Sequence, residues 1–556
     1  MSILGKKWVL KSDEKDKSIL EILLKNRGLK SPTENEIFHD PMLMKDMSKS
    51  VEKISTAIKN KERIMIFGDY DVDGLASAAI LFHALRKLGA NHSVRLPNRE
   101  KDGYGLSEKF IDEFENLGVK LVITVDCGIS CSNEVLYAKS KGIDVIITDH
   151  HSIPEQMPES AYSINHPKRK DCEYPFKELT GAGVALKVAY ALMQHELGEE
   201  EAENQLGDLY ELAMLGTIAD LGVVQGENKL IIKKGLEKIA DTRRPGIKIL
   251  KELAKLNKEI TVQSIGYQIA PRINAAGRIG DPYIALKLLI GEENSNEEIL
   301  YRYGLELEET NQRRQKMTTE GFEEAIGDFK ELREKNKLPY IIIAENPSWH
   351  VGIIGLLASK LAEEFNRPAI IMQDLGSVLV GSARSIEAFN IVEAIGEAGK
   401  FLVTYGGHKE AAGFTVKKEN LSEFKRILES HAKMKLENSD LRPTLAIDCE
   451  LQSNQITEDL ISEIWKLKPF GVRNSRPIFL LRNVKPLFIS TVGRNSDHVK
   501  FEAETDSKTV SAIGFRMGKF ASLLKESNKI DIACHVDLNT WKDSKKLQLE
   551  LVDFKV

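Results

Sequence analysis

Arg63-Ile-Met-Ile-Phe-Gly-Asp-Tyr-Asp-Val-Asp-Gly74 is the stretch whose reading decides the fold. Ile64 to Phe67 form an unbroken apolar run, which fits a strand buried on both faces. A glycine and three acids follow, and then a helical segment runs through Ala76 to Leu88. The same order recurs downstream. Leu121-Val-Ile-Thr-Val125 precedes Asp126, and Asp144-Val-Ile-Ile-Thr148 precedes Asp149. Buried strands alternating with helices predict an α/β domain with a parallel sheet covered on both faces. Ligands of such sheets bind at the carboxyl ends of the strands, so Asp69, Asp71, Asp126 and Asp149 are expected at one site.

Outward from that sheet, residues 1–50 are polar and mixed, and read as a short helical preface. Residues 51–290 form the first domain with a helical extension, in which Val184 to Leu192 carries apolar residues at i, i+3 and i+4. Residues 291–337 are highly charged and predict a long, solvated connecting helix over Glu297 to Lys335. A second α/β unit spans 338–435 and opens at Pro339-Tyr-Ile-Ile-Ile343. From 440 to 556 the pattern changes to short alternating segments such as His498-Val-Lys-Phe501 and Leu547-Gln-Leu-Glu-Leu551. The expected architecture is two α/β domains joined by a long helix, followed by a β-rich barrel of the OB type.

Composition excludes several classes. A chain of 556 residues is too long for one hydrophobic core. No window approaches the ~18 apolar residues of a membrane span. Met1 to Glu14 lacks the apolar core of a signal peptide. Cys127, Cys131, Cys172, Cys449 and Cys534 show no CxxC spacing, which argues against a disulfide framework or a thiolate zinc site and fits a reducing cytoplasm. The net charge of −5 does not announce a nucleic-acid binder, so such a role must rest on local grooves.

Asp69, Asp71 and Asp73 repel one another unless cations bridge them. Their alternation aims them to one side of an extended segment, with Gly74 allowing a sharp turn into the helix. A calcium loop would need Glu at its twelfth position, where Ile80 or Phe82 stands instead. Asp126 in isolation would be read as a helix cap. Asp149-His150-His151 is ligand chemistry. Asp220 closes an apolar helix, where its charge opposes the dipole unless a cation is near. Carboxylates and imidazole without thiolate favour Mn²⁺ or Mg²⁺, with acids enough for two ions sharing a bridging carboxylate, the geometry of phosphodiester hydrolysis.

A second set of residues suits phosphate. Arg278 lies near Asn274 and next to Gly277, and Arg384 lies among small residues. Gly406-Gly407-His408, followed by Ala411-Ala412-Gly413, has the same character. Each arginine alone would be a surface charge, but guanidinium forks with glycine-lined amides are what a terminal phosphate requires. In the tail, Phe470, Trp541, Lys542, Lys545 and Lys546 suit either single-strand stacking or an ordinary barrel core with solvated turns.

Asp69-Tyr-Asp-Val-Asp-Gly74, Thr124-Val-Asp-Cys-Gly-Ile-Ser130 and Asp149-His-His151 resemble successive motifs of the DHH phosphoesterase superfamily. Arg272-Ile-Asn-Ala-Ala-Gly-Arg-Ile279, Trp349-His-Val-Gly-Ile-Ile354, Gly381-Ser-Ala-Arg-Ser385 and Gly406-Gly-His-Lys-Glu-Ala-Ala-Gly413 narrow the resemblance. With the β-rich tail, they point to that superfamily's bacterial single-strand-specific exonucleases, from about residue 40 to the last. The resemblance implies DHH, DHHA1 and OB domains. It implies that Asp71 and Asp126 hold one metal, and that Asp73, Asp126, His150 and Asp220 hold the other, with His151 facing the scissile phosphate. Some members carry a His where Phe67 stands here, which leaves Asp69 as the alternative ligand of the first ion.

The resemblance also implies a pocket for the 5′ end at Arg278, Ser382, Arg384, Gly407 and His408. Arg99 would meet phosphate, and Tyr104 would either meet a base face or pack on the domain surface. The implied activity is 5′→3′ hydrolysis of single-stranded DNA in repair and recombination, in the cytoplasm and away from membranes. Its implied partners are a helicase and a single-strand-binding protein. A DHH phosphodiesterase acting on short oligonucleotides or cyclic dinucleotides would match only the first two domains. A non-catalytic DNA-binding scaffold would not need Asp71, Asp73, Asp126, His150 and Asp220 intact.

Overall fold

The structure is a computed structural model that describes every residue except 1, 15, 104, 257, 258 and 540–544. The chain forms two units, one of residues 36–441 and one of residues 1–35 with 442–556.

The larger unit opens on a five-stranded parallel sheet. Its strands are β1 (Arg63–Gly68), β2 (His92–Arg95), β3 (Val119–Val125), β4 (Asp144–Thr148) and β5 (Ser163–Asn165). They run in the order β2-β1-β3-β4-β5. The chain leaves β1 toward one edge and returns to pair on its other side, so the topological switch point lies between β1 and β3. Register then decides the chemistry. Gly68 pairs with Val125 and Val125 with Thr148, so the next residues, Asp69, Asp126 and Asp149, stand side by side at the carboxyl edge.

The helix after β1 runs from Val72 to Lys87 and is buried on nearly every side. It packs among the helices Gly181–Leu197 and Glu199–Ala219. The extended alternation expected through the three acids therefore stops at Asp71, which is the N-cap and accepts from the Gly74 N–H at 3.0 Å. Asp73 lies in the first helical turn. Gly74 does not form the turn. A Cβ there would lie 2.6 Å from the Asp69 carbonyl oxygen, so the glycine lets the loop close onto the helix.

The connecting helix is Glu297–Glu334, capped by Asn296 and about 57 Å long at 1.5 Å per residue. The second sheet comprises β6 (Ile342–Asn346), β7 (Ala369–Asp374), β8 (Val378–Arg384), β9 (Leu402–His408) and β10 (Ala411–Lys417), in the order β9-β10-β8-β7-β6. Only the β6–β7 pair is parallel.

In the smaller unit, Phe479–Val492, His498–Glu504, Thr509–Gly514, Lys546–Lys555 and Ile530–Asn539 pair in that order. The last returns to the first, closing a five-stranded barrel around Phe479, Phe501 and Phe554. Residues 1–35 are not a free-standing preface. Lys7–Leu10 pairs in parallel with Thr444–Ile447, and the helix Ile19–Asn26 buries Ile22 and Leu23 in the barrel core. That apolar stripe is only two turns long, too short to stand out in a polar segment. Phe470 packs against the same core, Lys545 and Lys546 are exposed, and Trp541 and Lys542 lie outside the described residues.

Buried charge also shapes the larger unit. Lys187 and Glu227 are both fully buried and paired. Glu227 also accepts from the Tyr174 hydroxyl at 2.6 Å and the His39 N–H at 3.0 Å, while Lys187 Nζ donates to the His39 carbonyl at 2.6 Å and lies over the Phe38 ring. Removing one partner strands the other charge. Glu227→Ala should therefore cost about 3–5 kcal/mol of stability. A urea midpoint within error of wild type would contradict this reading of the pair.

Candidate metal and phosphate site

Five elements deliver the acidic cluster. Asp69, Asp126 and Asp149 follow β1, β3 and β4, Asp71 and Asp73 open the helix Val72–Lys87, and Asp220 ends the helix Glu199–Ala219. His150 and His151 follow Asp149 directly. Asp126 sits at φ 60°, a left-handed conformation that side chains adopt only when the surroundings impose it. His150 Nε2 lies 3.1 Å from Asp126 Oδ1 and 3.7 Å from both Asp73 Oδ2 and Asp220 Oδ2. Potential ligand atoms form three close groups: Asp126 with His150 and His151, Asp73 with His150 and Asp220, and Asp69 with Asp71 and Asp126. Asp126 belongs to two of them.

Two atoms carry the fit to a cation. Asp126 Oδ1 and His150 Nε2 are buried and have no hydrogen-bond partner among the described residues. Orphaned buried acceptors are costly, and a divalent ion removes the cost. The donor set is all oxygen and imidazole nitrogen, which suits Mn²⁺ or Mg²⁺. Burial, then the neighbouring Asp71, pushes Asp69 up to about 8 and Asp73 up to about 7. Asp126 is raised well above the carboxylate range by burial and by Asp73 and Asp71. Burial, with His151 beside it, lowers His150 to about 3, so its ring is neutral as a ligand must be.

Supporting residues fix the ligands. Asp73 accepts from the N–H groups of Gly181 at 2.7 Å and Ala182 at 2.9 Å, at the N-terminus of the helix Gly181–Leu197. Asp149 accepts from the Ile129 N–H at 3.0 Å and pairs with His151 Nδ1 at 2.8 Å. Burial opposes charge on both partners of that pair. Their mutual bond outweighs it, raising His151 to about 9 and holding Asp149 below the usual range. Lys168 Nζ donates to the His150 carbonyl at 2.6 Å. The supporting roles of Asp149, Gly181, Ala182 and Lys168 escaped the sequence reading. The glycine-rich start of an apolar helix at Gly181 was the available signal for one of them.

Beside the acids lies a cavity of about 120 Å³ lined by Tyr70, Asp71, Asp73, Arg99, Asp220 and Arg278, among others. Arg99 Nε donates to the Gly277 carbonyl at 3.3 Å, and Arg278 reaches the Gly352 carbonyl at 3.4 Å. Burial, followed by the charges of Arg99, Arg314 and Arg384, lowers Arg278 to about 10. Arg314, on the connecting helix, was absent from the sequence candidates. Arg384 bonds Ser382 Oγ at 3.2 Å and the Ala383 carbonyl at 2.8 Å. The sheet register sets His408, Ala411 and Arg384 in one row, and Gly407 pairs with Ala412. Gly407 and His408 stand exposed on the edge strand β9. Asn274 Oδ1 accepts from the Val72 N–H at 3.2 Å, tying the arginine-bearing helix to the metal loop. Tyr104 lies outside the described residues.

Residues 63–217 match the DHH family N-terminal domain, 338–434 the DHHA1 domain and 447–553 the RecJ OB domain. The single-stranded-DNA-specific exonuclease RecJ of Bacillus subtilis is 38% identical over 94% of this chain, which spans 65% of that protein's length. The Haemophilus influenzae RecJ is 33% identical over 93% of this chain and 91% of its own length. The crystal structure of Thermus thermophilus RecJ in complex with Mn²⁺ superposes with a TM-score of 0.82 at 27% identity, over 97% of this chain and 76% of that one. Domain order and whole-chain similarity agree, and the chain belongs to the RecJ family of single-stranded-DNA-specific exonucleases.

Proposed function

We propose that this chain hydrolyses single-stranded DNA from its 5′ end toward the 3′ end, using two divalent ions held around Asp126. The observation that carries the reading is the pair of orphaned buried atoms, Asp126 Oδ1 and His150 Nε2, beside a cavity lined by Arg99 and Arg278. Asp71 and Asp126, with Asp69 near them, would hold one ion, and Asp73, Asp126, His150 and Asp220 the other. Bound ions supply charge for the scissile phosphate and an activated water. His151, oriented by Asp149, would face the scissile phosphate. Arg99, Arg278, Ser382 and Arg384, with Gly407 and His408, would hold the 5′ end, and the barrel would hold the strand beyond.

Repair and recombination, with a helicase opening the duplex and a single-strand-binding protein on the product, are the setting this activity fits. No helix among the described residues is long and apolar enough to cross a membrane. All five cysteines are free, which supports a cytoplasmic setting.

Digestion of end-labelled single strands beside dinucleotides, with and without Mn²⁺, tests the reading. Metal-dependent release of label from the 5′ end of long strands is expected, and release from the 3′ end first would overturn the polarity. Asp126→Ala should abolish turnover at saturating Mn²⁺, whereas Asp69→Ala should leave measurable activity.

The acids also predict a pH dependence. Asp69 and Asp73 have raised folded-state values, so their contribution to stability is full below about pH 4 and lost progressively as pH rises to about 8. The metal-free protein should melt at lower temperature at pH 8 than at pH 6, and Mn²⁺ should raise the melting temperature more at pH 8. A Mn²⁺ shift no larger at pH 8 would contradict the carboxylate cluster as the binding site.

Arg384 should serve the end phosphate. A charge-assisted bond of about 1.5–3 kcal/mol corresponds to on the order of ten- to a hundredfold in kcat/KM. Arg384→Ala should lose that on 5′-phosphorylated strands and much less on 5′-hydroxyl strands at the same salt. Equal losses would mean that Arg384 serves the strand or the fold.

A further inference from the structure

Tyr70 lies between the first two acids of the metal loop, and none of the roles above uses its side chain. The ring is buried, 6% exposed, and lines the cavity shared by the metal carboxylates and the arginines. The Arg99 guanidinium lies over it, with Cζ 4.4 Å from the ring centroid. Arg99 has no carboxylate within ion-pair distance among the described residues. Among the described residues its only polar bond runs from Nε to the Gly277 carbonyl at 3.3 Å. A neutral ring face and a neutral carbonyl thus hold the group, and its two terminal nitrogens keep their donors and their full charge for a ligand.

The backbone of Tyr70 is fixed as tightly as its ring. Its N–H donates to Asp69 Oδ1 at 2.6 Å. Its carbonyl and ring edge press against Gly277, where an added Cβ would collide with the Tyr70 carbonyl oxygen. Gly277 precedes Arg278 on the helix Ala270–Ile279. One residue therefore touches the metal loop, the arginine-bearing helix and the Arg99 guanidinium.

We propose that Tyr70 is a positioning residue that holds Arg99 flat and aims its fork at a strand phosphate bound beside the metal carboxylates. This deepens the proposed function and rests on it. A planar guanidinium stacks on an aromatic face and an ammonium does not replace it, so the arrangement needs both the ring and Arg rather than Lys.

A double-mutant cycle on the full chain tests this with a 5′-phosphorylated single strand, reading KM and kcat separately and Mn²⁺ affinity by calorimetry. Tyr70→Leu should raise KM about tenfold, with kcat within threefold and Mn²⁺ affinity within twofold of wild type. Tyr70→Phe keeps the ring and should restore KM. In an Arg99→Ala background, Tyr70→Leu should add less than twofold. Arg99→Lys, which leaves the ring untouched, should lose nearly as much as Arg99→Ala, and this comparison stands even if Tyr70→Leu does not fold. An undiminished effect of Tyr70→Leu without Arg99, a loss of Mn²⁺ binding in Tyr70→Leu, or a fully active Arg99→Lys would each overturn the proposal. The wild-type digestion reports on the exonuclease reading itself, whereas the coupling is read only from differences among variants, so the two failures are distinguishable.

Discussion

Like-charge crowding at the carboxyl edge of one sheet is the constraint on which the rest of the larger unit depends. Register across β1, β3 and β4 sets Asp69, Asp126 and Asp149 side by side, and two helix termini bring in Asp71, Asp73 and Asp220. Left alone, such a cluster would spread or hold protons, and the raised values of Asp69 and Asp73 express that tension. The fold resists spreading with rigid elements. Asp73 is held by two amides of the helix Gly181–Leu197, whose dipole favours its charge, and Asp126 is fixed in a left-handed conformation at a strand end. The helices Val72–Lys87 and Gly181–Leu197 are buried nearly all round, so the cluster rests on a core that cannot relax.

Much of this was legible in the sequence, because short β-branched runs ending in acids have few alternative readings. The parallel sheet and the tail barrel follow from periodicity, and the connecting helix from a long charged run nearly free of Gly and Pro. What escaped depends on contacts distant in sequence. The attachment of residues 1–35 to the barrel rests on a two-turn helix and a four-residue strand that pairs with Thr444–Ile447. Asp149 reads in sequence only as a strand-end acid of the site, and its carboxylate faces the Ile129 amide and His151, which makes it an orienting group. The three-acid alternation suggested one extended face, and instead the helix begins at Val72 and turns Asp73 back toward His150. Phe470, between Pro469 and Gly471, reads as structural rather than as a stacking residue, and it packs against the barrel core.

The arginines pose the opposite problem to the acids. Arg99 and Arg278 share a cavity with carboxylates in a protein of net charge −5, Arg384 is close enough to act on Arg278, and flexible guanidiniums would be expected to collapse onto acids. Among the described residues none of the three forms an ion pair. Each is held by neutral groups: Arg99 by the Tyr70 ring and the Gly277 carbonyl, Arg278 by the Gly352 carbonyl, and Arg384 by Ser382 and the Ala383 carbonyl. Neutral partners fix direction without cancelling charge. Asp71, Asp73 and Asp220 are thereby kept apart from Arg99 and Arg278 across one small cavity, each set short of its counter-charge. A phosphodiester with divalent ions satisfies both sets together, because the ions meet the carboxylates and the phosphate oxygens meet the forks. A cation alone or an anion alone would satisfy only one side, so binding of each should strengthen binding of the other. That reciprocity follows from linkage, and it places the selectivity of the site in the separation of its charges rather than in either charge alone.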